Sequence, residues 1–180
     1  MKHDAIRTAI PVIPAERFAL RPLRPSDAGL IQLYASDRRV AEMTSIIPHP
    51  YPPGAAEGFV ARALADANDR AIWALDASAH GSSELLGLLS MTWLERDQAE
   101  IGYWVAPALW NAGYASEAVG AVVAANPLEC RSIFATVFQD NPGSARVLTN
   151  AGFEYVGDAE SYSVARQATI PTWTYIRRLG

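Results

Sequence analysis

Between Arg17 and Leu23, Phe18, Leu20 and Pro22 stand opposite Arg21, the period-two pattern of a strand with one buried face, and Pro25-Ser26-Asp27 supplies the turn that ends it. The period then changes. Asp27 to Ser36 predicts a helix, and Gly54 to Asn68, with Phe59, Val60, Ala63 and Leu64 at helical spacing, predicts a second. The Pro-rich stretch from Ile46 to Gly54 between them is too short to link domains and reads as a loop.

Beyond it, Ala71 to Asp76 and Leu85 to Trp93 are rich in β-formers and flank His80-Gly81-Ser82-Ser83, a composition typical of an antiparallel hairpin connection. Ala99 to Val105 continues this meander as a third strand. After Pro107 to Gly113 comes an Ala- and Val-rich helix to about Ala125, then the strand Ser132 to Phe138, which together read as a βαβ crossover. A last helix is predicted to open with Asn141 as its N-cap and Pro142 at its first position, and to stop at Gly152. Phe153 to Gly157 and Thr172 to Arg178 give two closing strands. The predicted order, βααβββαβαββ, defines an α/β (α+β) fold: a mixed, mostly antiparallel sheet with helices on both faces.

Composition narrows the function. The 180 residues, half of them apolar, suit one domain over residues 1–180, with 1–15 as an N-terminal extension. No window approaches the roughly 18 consecutive apolar residues of a membrane span, so no membrane partner is expected. Met1 to Glu16 lacks the continuous apolar core of a secretory signal, and a single cysteine, Cys130, fits a reducing compartment; a cytoplasmic location is expected. Net charge is −4 without any basic block, which argues against a nucleic-acid partner. Cys130 has no neighbours at metal-ligand spacing, and no metal is expected. His3 and His80 read as solvated.

Two segments carry chemistry. In the first, Ala99-Glu100-Ile101-Gly102-Tyr103-Trp104-Val105 is followed by Trp110-Asn111-Ala112-Gly113-Tyr114-Ala115-Ser116-Glu117-Ala118. A strand ends, a glycine turn follows and a helix begins, so unpaired N–H groups and the helix dipole can hold a diphosphate without a lysine. A glycine that merely turns the chain fits the same pattern. In the second, Asn141 to Phe153 holds an Asn-x-x-Ser start, Asn141 and Ser144, and a Gly-Phe finish, which helix capping alone also explains.

Taken together, these segments resemble the GNAT superfamily and, within it, the RimJ/RimL-like protein N-acetyltransferases. The family's acyl-CoA pyrophosphate loop, Gln/Arg-x-x-Gly-x-Gly/Ala, falls on Trp110-Asn111-Ala112-Gly113-Tyr114-Ala115; the branch's Gly-Tyr-Ala-x-Glu-Ala falls on Gly113 to Ala118. Its Asn-x-x-Ser…Gly-Phe helix falls on Asn141, Ser144, Gly152 and Phe153, and its opening Glu-Arg-x-x-Leu-Arg-Pro strand on Glu16 to Pro22. The chain departs at Asn111, where the branch usually has Gly, and at Ala112, where it has Lys, Arg or Gln; backbone donors survive, and a side-chain contact to phosphate is lost.

The resemblance implies direct transfer of an acetyl group from acetyl-CoA to a primary amine in a ternary complex, with a protein N-terminus or a small molecule as acceptor. It also implies that strands splay near Trp104 and Val105, where pantetheine pairs with free backbone groups, and that Trp110 to Ala115, Asn141 and Ser144 hold the cosubstrate. An α-amino group, with a pKa of about 8 against about 10.4 for lysine, needs only a modest base. Glu100 is the candidate, because it shares a strand face with Gly102 and Trp104 and Gly102 leaves room beside it. Ser144 is the candidate proton donor to the departing thiolate. His49 and Tyr51 are expected to border the acceptor site. Monomer and homodimer both remain open, and the other readings are a silent acyl-CoA sensor or an interaction module.

Overall fold

The structure, a computed structural model, describes residues 10–65 and 69–180. The predicted helix end at Asn68 and His3 lie outside them. Strands β1 (Ile13–Pro14), β2 (Ala19–Pro22), β3 (Arg70–Asp76), β4 (Gly87–Leu94), β5 (Gln98–Val105), β6 (Ser132–Phe138), β7 (Glu154–Ser163) and β8 (Ala168–Arg178) form one sheet in the order β1-β2-β3-β4-β5-β6-β8-β7. Helices α1 (Ala28–Ala35), α2 (Arg38–Glu42) and α3 (Ala55–Ala65) precede β3; α4 (Tyr114–Ala125) joins β5 to β6, and α5 (Pro142–Asn150) joins β6 to β7. Every strand pair is antiparallel except β5 with β6, as the crossover demands.

Alternation on the central strands builds two cores. Ala71, Trp73 and Leu75 of β3, Leu89 and Met91 of β4 and Ala99 and Ile101 of β5 point to one face, where they bury Ala118, Val119 and Val122 of α4 and Leu148 of α5. Ile72 and Ala74, with Leu88, point to the other, against Ala28 and Ile31 of α1 and Ala56 and Val60 of α3. The helices thus cover both faces, as the periodicity predicts.

A buried ion cluster fixes the α1 end of the sheet. Arg21 donates to both carboxylate oxygens of Asp27, at 2.9 and 2.8 Å, to Asp76 at 2.6 Å and to the Glu84 carbonyl at 2.9 Å. Asp27 is fully buried and also accepts the Arg24 N–H, so one carboxylate ties β2 to the start of α1 while the other ties it to β3.

Five features of the fold differ from expectation. The two-residue β1 and the five-residue α2 are too short to register as periodic patterns; α2 is nucleated by Asp37, whose side chain caps the Arg39 N–H at 2.9 Å. The last two strands are longer than predicted and form a hairpin closing through residues 164–167, because β7 is an edge strand exposed along most of its length and lacks an apolar alternation to mark it. The β3–β4 connection is also longer than a tight hairpin: it carries a 3₁₀ turn, Ser78–His80, and Gly81 at φ +76. His80 is exposed there, as expected.

Candidate active site

Strands β5 and β6 pair only at Gln98–Ser132, Ala99–Ile133 and Glu100–Phe134. Beyond that point β5 stays with β4 as far as Val105, and β6 stays with β8 as far as Phe138, so the sheet splits between them. The Ala106 N–H donates to the Leu86 carbonyl at 2.8 Å, toward β4. By strand alternation, the main-chain groups of Val105, Tyr103 and Ile101 therefore point the other way, into the split. The backbone of Trp104 faces β4; its ring lies edge-on to Tyr34 of α1, with centroids 6.3 Å apart, on the opposite face of the sheet from α4. The Val105 carbonyl is already held by the Trp110 indole N–H at 2.8 Å. The open groups near the expected thioester anchor are thus those of Tyr103 and the Val105 N–H.

One cavity of about 1610 Å³ runs through the split and emerges on both faces. On the α4 side it meets the start of that helix. Asn111 at φ +60 and Gly113 at φ +84 turn the chain sharply, and Trp110, Asn111, Gly113, Tyr114, Ala115 and Ser116 all line the cavity. Ala112 does not. Its carbonyl instead accepts from the Arg17 guanidinium at 3.0 Å, while Arg17 Nε and backbone N–H both bond Glu117 at 3.1 Å and its guanidinium stacks 3.9 Å over the Tyr114 ring. Arg17 thereby clamps the turn from behind, a role invisible in sequence because its partners lie about a hundred residues away.

Asn141 caps α5, its side-chain oxygen accepting the Ser144 N–H at 3.3 Å. Ser144 Oγ lies 2.8 Å from the Tyr103 hydroxyl, which also donates to the Ser144 carbonyl at 3.1 Å. Burial pushes the Tyr103 phenol up to about 12, so it is a neutral hydroxyl at any physiological pH. Asn141, Ser144 and Tyr103 all line the cavity, and Tyr103 is a functional candidate that the strand pattern alone did not single out.

On the other face the cavity floor is the sheet. In register, Arg70 faces Thr92 and Thr92 faces Glu100; Ile72 faces Ser90 and Ser90 faces Gly102. Glu100 is exposed to the cavity beside Gly102, where a Cβ would lie 3.5 Å from Ser90 Oγ. Tyr51 lines this lobe, and burial raises its phenol pKa. His49 does not line it, although it is half-buried, its Nδ1 enclosed without a partner. Ser161 and Thr172, from the β7–β8 hairpin, line its far side. Arg166 there donates to the Glu42 carbonyl at 3.0 and 2.7 Å and to Asp140 at 2.5 and 3.2 Å, which holds the Asp140 carboxyl below its ordinary pKa. The hairpin tip is so fastened to α2 and to the loop before α5.

Among the described residues no cluster of three or more His, Cys, Asp or Glu could hold a metal ion, and no helix is long and apolar enough to cross a membrane.

Residues 17–154 match the family described as the acetyltransferase (GNAT) domain. The chain belongs to the GNAT acetyltransferase family. It is 29% identical over 157 residues to YoaA of Bacillus subtilis, an uncharacterized N-acetyltransferase, covering 84% of this chain and 88% of that one. Its fold is similar to that of a GNAT-family acetyltransferase from Bacillus anthracis, with 22% identity, a TM-score of 0.78 and coverage of 93% and 98% of the two chains. It is equally similar in fold to RimL, the ribosomal L7/L12 α-N-protein acetyltransferase solved with coenzyme A, with 16% identity, a TM-score of 0.78 and coverage of 94% and 98%.

Proposed function

We propose that this protein transfers an acetyl group from acetyl-CoA directly to a primary amine. The observation that carries the reading is the single cavity that joins the α4 start, the β5–β6 split and the Glu100 face. Pyrophosphate fits the N–H groups at the start of α4, where the chain passes through Gly113. The pantetheine arm fits the split, with the Tyr103 and Val105 main-chain groups as partners, and the thioester then lies between the two lobes.

The chemistry balances on residues present. Glu100, directly or through one water, takes a proton from the ammonium form of the acceptor. The amine attacks the thioester carbon, and a backbone N–H in the split steadies the oxyanion, a contribution of roughly 3 kcal/mol for one well-placed donor. The C–S bond breaks as the C–N bond is made. The leaving thiolate takes a proton from Ser144 Oγ, which the neutral Tyr103 hydroxyl orients, and the second proton shed by the acylated nitrogen as the amide forms returns to Ser144 through water. Glu100 and the Ser144–Tyr103 pair in one cavity favour a working enzyme over a silent sensor. A protein N-terminus and a small amine both fit the reading.

Binding tests the first half of this reading. CoA at a hundredfold excess over its dissociation constant should stabilise the fold by roughly 2.7 kcal/mol, seen as a thermal shift. Gly113→Val should abolish the shift, since φ +84 strains any residue with a Cβ, and that Cβ would lie 3.3 Å from the Arg17 guanidinium. No shift in the wild type would refute the assignment.

A further inference from the structure

The acceptor lobe holds two arginines that the transfer chemistry does not use. Of the four arginines lining the cavity, Arg39 is paired with Asp37 at 2.7 Å, and Arg146 belongs to α5, across the split. Arg62 and Arg70 remain on the acceptor side. Together with Phe59, Ala63 and Ile72 they also line an annex of about 190 Å³, with no carboxylate among its described lining residues.

Neither guanidinium forms an ion pair among the described residues. Arg70 is half-buried on β3, and its one side-chain hydrogen bond there runs at 3.3 Å to the neutral Ser90 hydroxyl. Its Nε is buried without an acceptor. Burial lowers its pKa, and Glu100, two strands away in register, opposes that shift without touching it. A half-buried guanidinium with its Nε enclosed and unpaired, and one long bond to a neutral group, gains when an anion joins it. Arg62, one turn from the last turn's end of α3, is exposed, and its positive charge acts on the Tyr51 phenol. Among the described residues, Arg62 and Arg70, without an ion-pair partner, and the Tyr51 hydroxyl line the lobe on one side and Glu100 on the other, while Glu57 of α3, whose charge also acts on Tyr51, does not line it.

Resting on the acetyltransferase reading above, we infer that the acceptor is a primary amine that itself carries an anionic group, a carboxylate or a phosphate, seated between Arg62 and Arg70. Neighbouring strands lie about 4.8 Å apart, so Arg70 and Glu100 start about 10 Å apart at their Cα atoms and their side chains converge on a shorter molecule. An amine a few bonds from its own anion spans that distance, as in an amino acid or an aminoalkyl phosphate. A polyamine would bring further positive charge against both arginines, a mismatch that excludes it as the preferred acceptor.

Matched acceptors test this. Acetylation rates are measured for an amino acid against its amide and for phosphoethanolamine against ethanolamine, with spermidine alongside. In the wild type, kcat/KM should favour the anionic member of at least one pair by about tenfold or more, and which pair responds separates carboxylate from phosphate. In Arg62→Gln and Arg70→Gln that preference should fall toward unity, with CoA affinity unchanged, and Arg70→Lys should keep part of it. Equal rates within both pairs, or spermidine as the fastest acceptor, would overturn the inference. A readout independent of turnover is the thermal shift of the CoA-loaded protein on adding phosphoethanolamine or the amino acid. It should appear in the wild type and be lost in the exposed-residue variant Arg62→Gln; no shift with either compound in the wild type contradicts the anion site. A protein that gives this shift yet acetylates no amine would instead overturn the enzyme reading and leave the anion site standing.

Discussion

The hydroxyls of Tyr103 and Ser144, 41 residues apart in the chain, lie 2.8 Å from each other between β5 and α5, beside the split in the sheet. Tyr103 comes from the strand that turns away from β6, and Ser144 from the first turn of the helix that follows β6, so the pair spans the route of the thioester. Tyr103→Phe should lower kcat by about tenfold or more while leaving CoA binding within a few-fold, because it removes the group that orients Ser144 Oγ toward a leaving thiolate. Single-turnover acetylation compared with CoA titration checks this. Equal loss of kcat and CoA affinity would mean that the pair merely holds α5 in place.

Alkaline pH should weaken the fold through two buried hydroxyl and thiol groups. Burial raises Tyr103 from 10.0 to about 12 and Cys130 from 9.0 to about 11. Groups raised on folding contribute stability that is fully present below their unfolded pKa and lost as pH climbs through the folded value. The urea midpoint should therefore hold steady up to about pH 9 and fall from there to about 11 to 12. The Tyr103→Phe variant should show a shallower fall at the upper end.

Arg21→Ala strands two buried carboxylates, Asp27 and Asp76, that otherwise share its guanidinium. Breaking a buried pair from one side costs about 3–5 kcal/mol, so a large drop in the urea midpoint is expected. Asp27→Asn should cost less, because Arg21 keeps Asp76. A drop for Arg21→Ala no larger than that of an exposed pair such as Arg178 with Glu154 would show that the cluster does not anchor the sheet.

Arg17 holds the α4 turn by its bonds to Ala112 and Glu117 rather than by lining the cavity. Arg17→Ala should leave global stability within about 1 kcal/mol and weaken CoA, since the clamp is partly exposed. Isothermal titration of both proteins checks it; unchanged affinity would show that the turn holds its shape alone.

The element order and both helix-covered faces were legible because apolar residues recur with clear periods on β3, β4, β5 and α4. The helix start at Gly113 and the cap at Asn141 were legible from local residue types. Contacts made by distant residues were not. Arg166 reaches Glu42 from 124 residues away, and Arg17 reaches Glu117 across 100, so no local pattern marks either. Tyr103 was hidden on a strand face that reads as core, and its contact to Ser144 exists only because the crossover brings α5 over the split. Ala112 and His49 show the reverse: each sits in a segment that borders the cavity, but the chain turns them away from its lining.

Amine-dependent release of CoA from acetyl-CoA, measured across pH with the wild type and Glu100→Gln, tests acetyl transfer most directly. The wild type should release thiol only with an acceptor and yield the acetylated amine. Glu100→Gln should lose about a hundred- to ten-thousandfold at low pH, where the amine is most protonated, and recover as pH rises. Binding of CoA without any amine-dependent release would contradict acetyl transfer, and identical pH profiles for the two proteins would contradict Glu100 as the base.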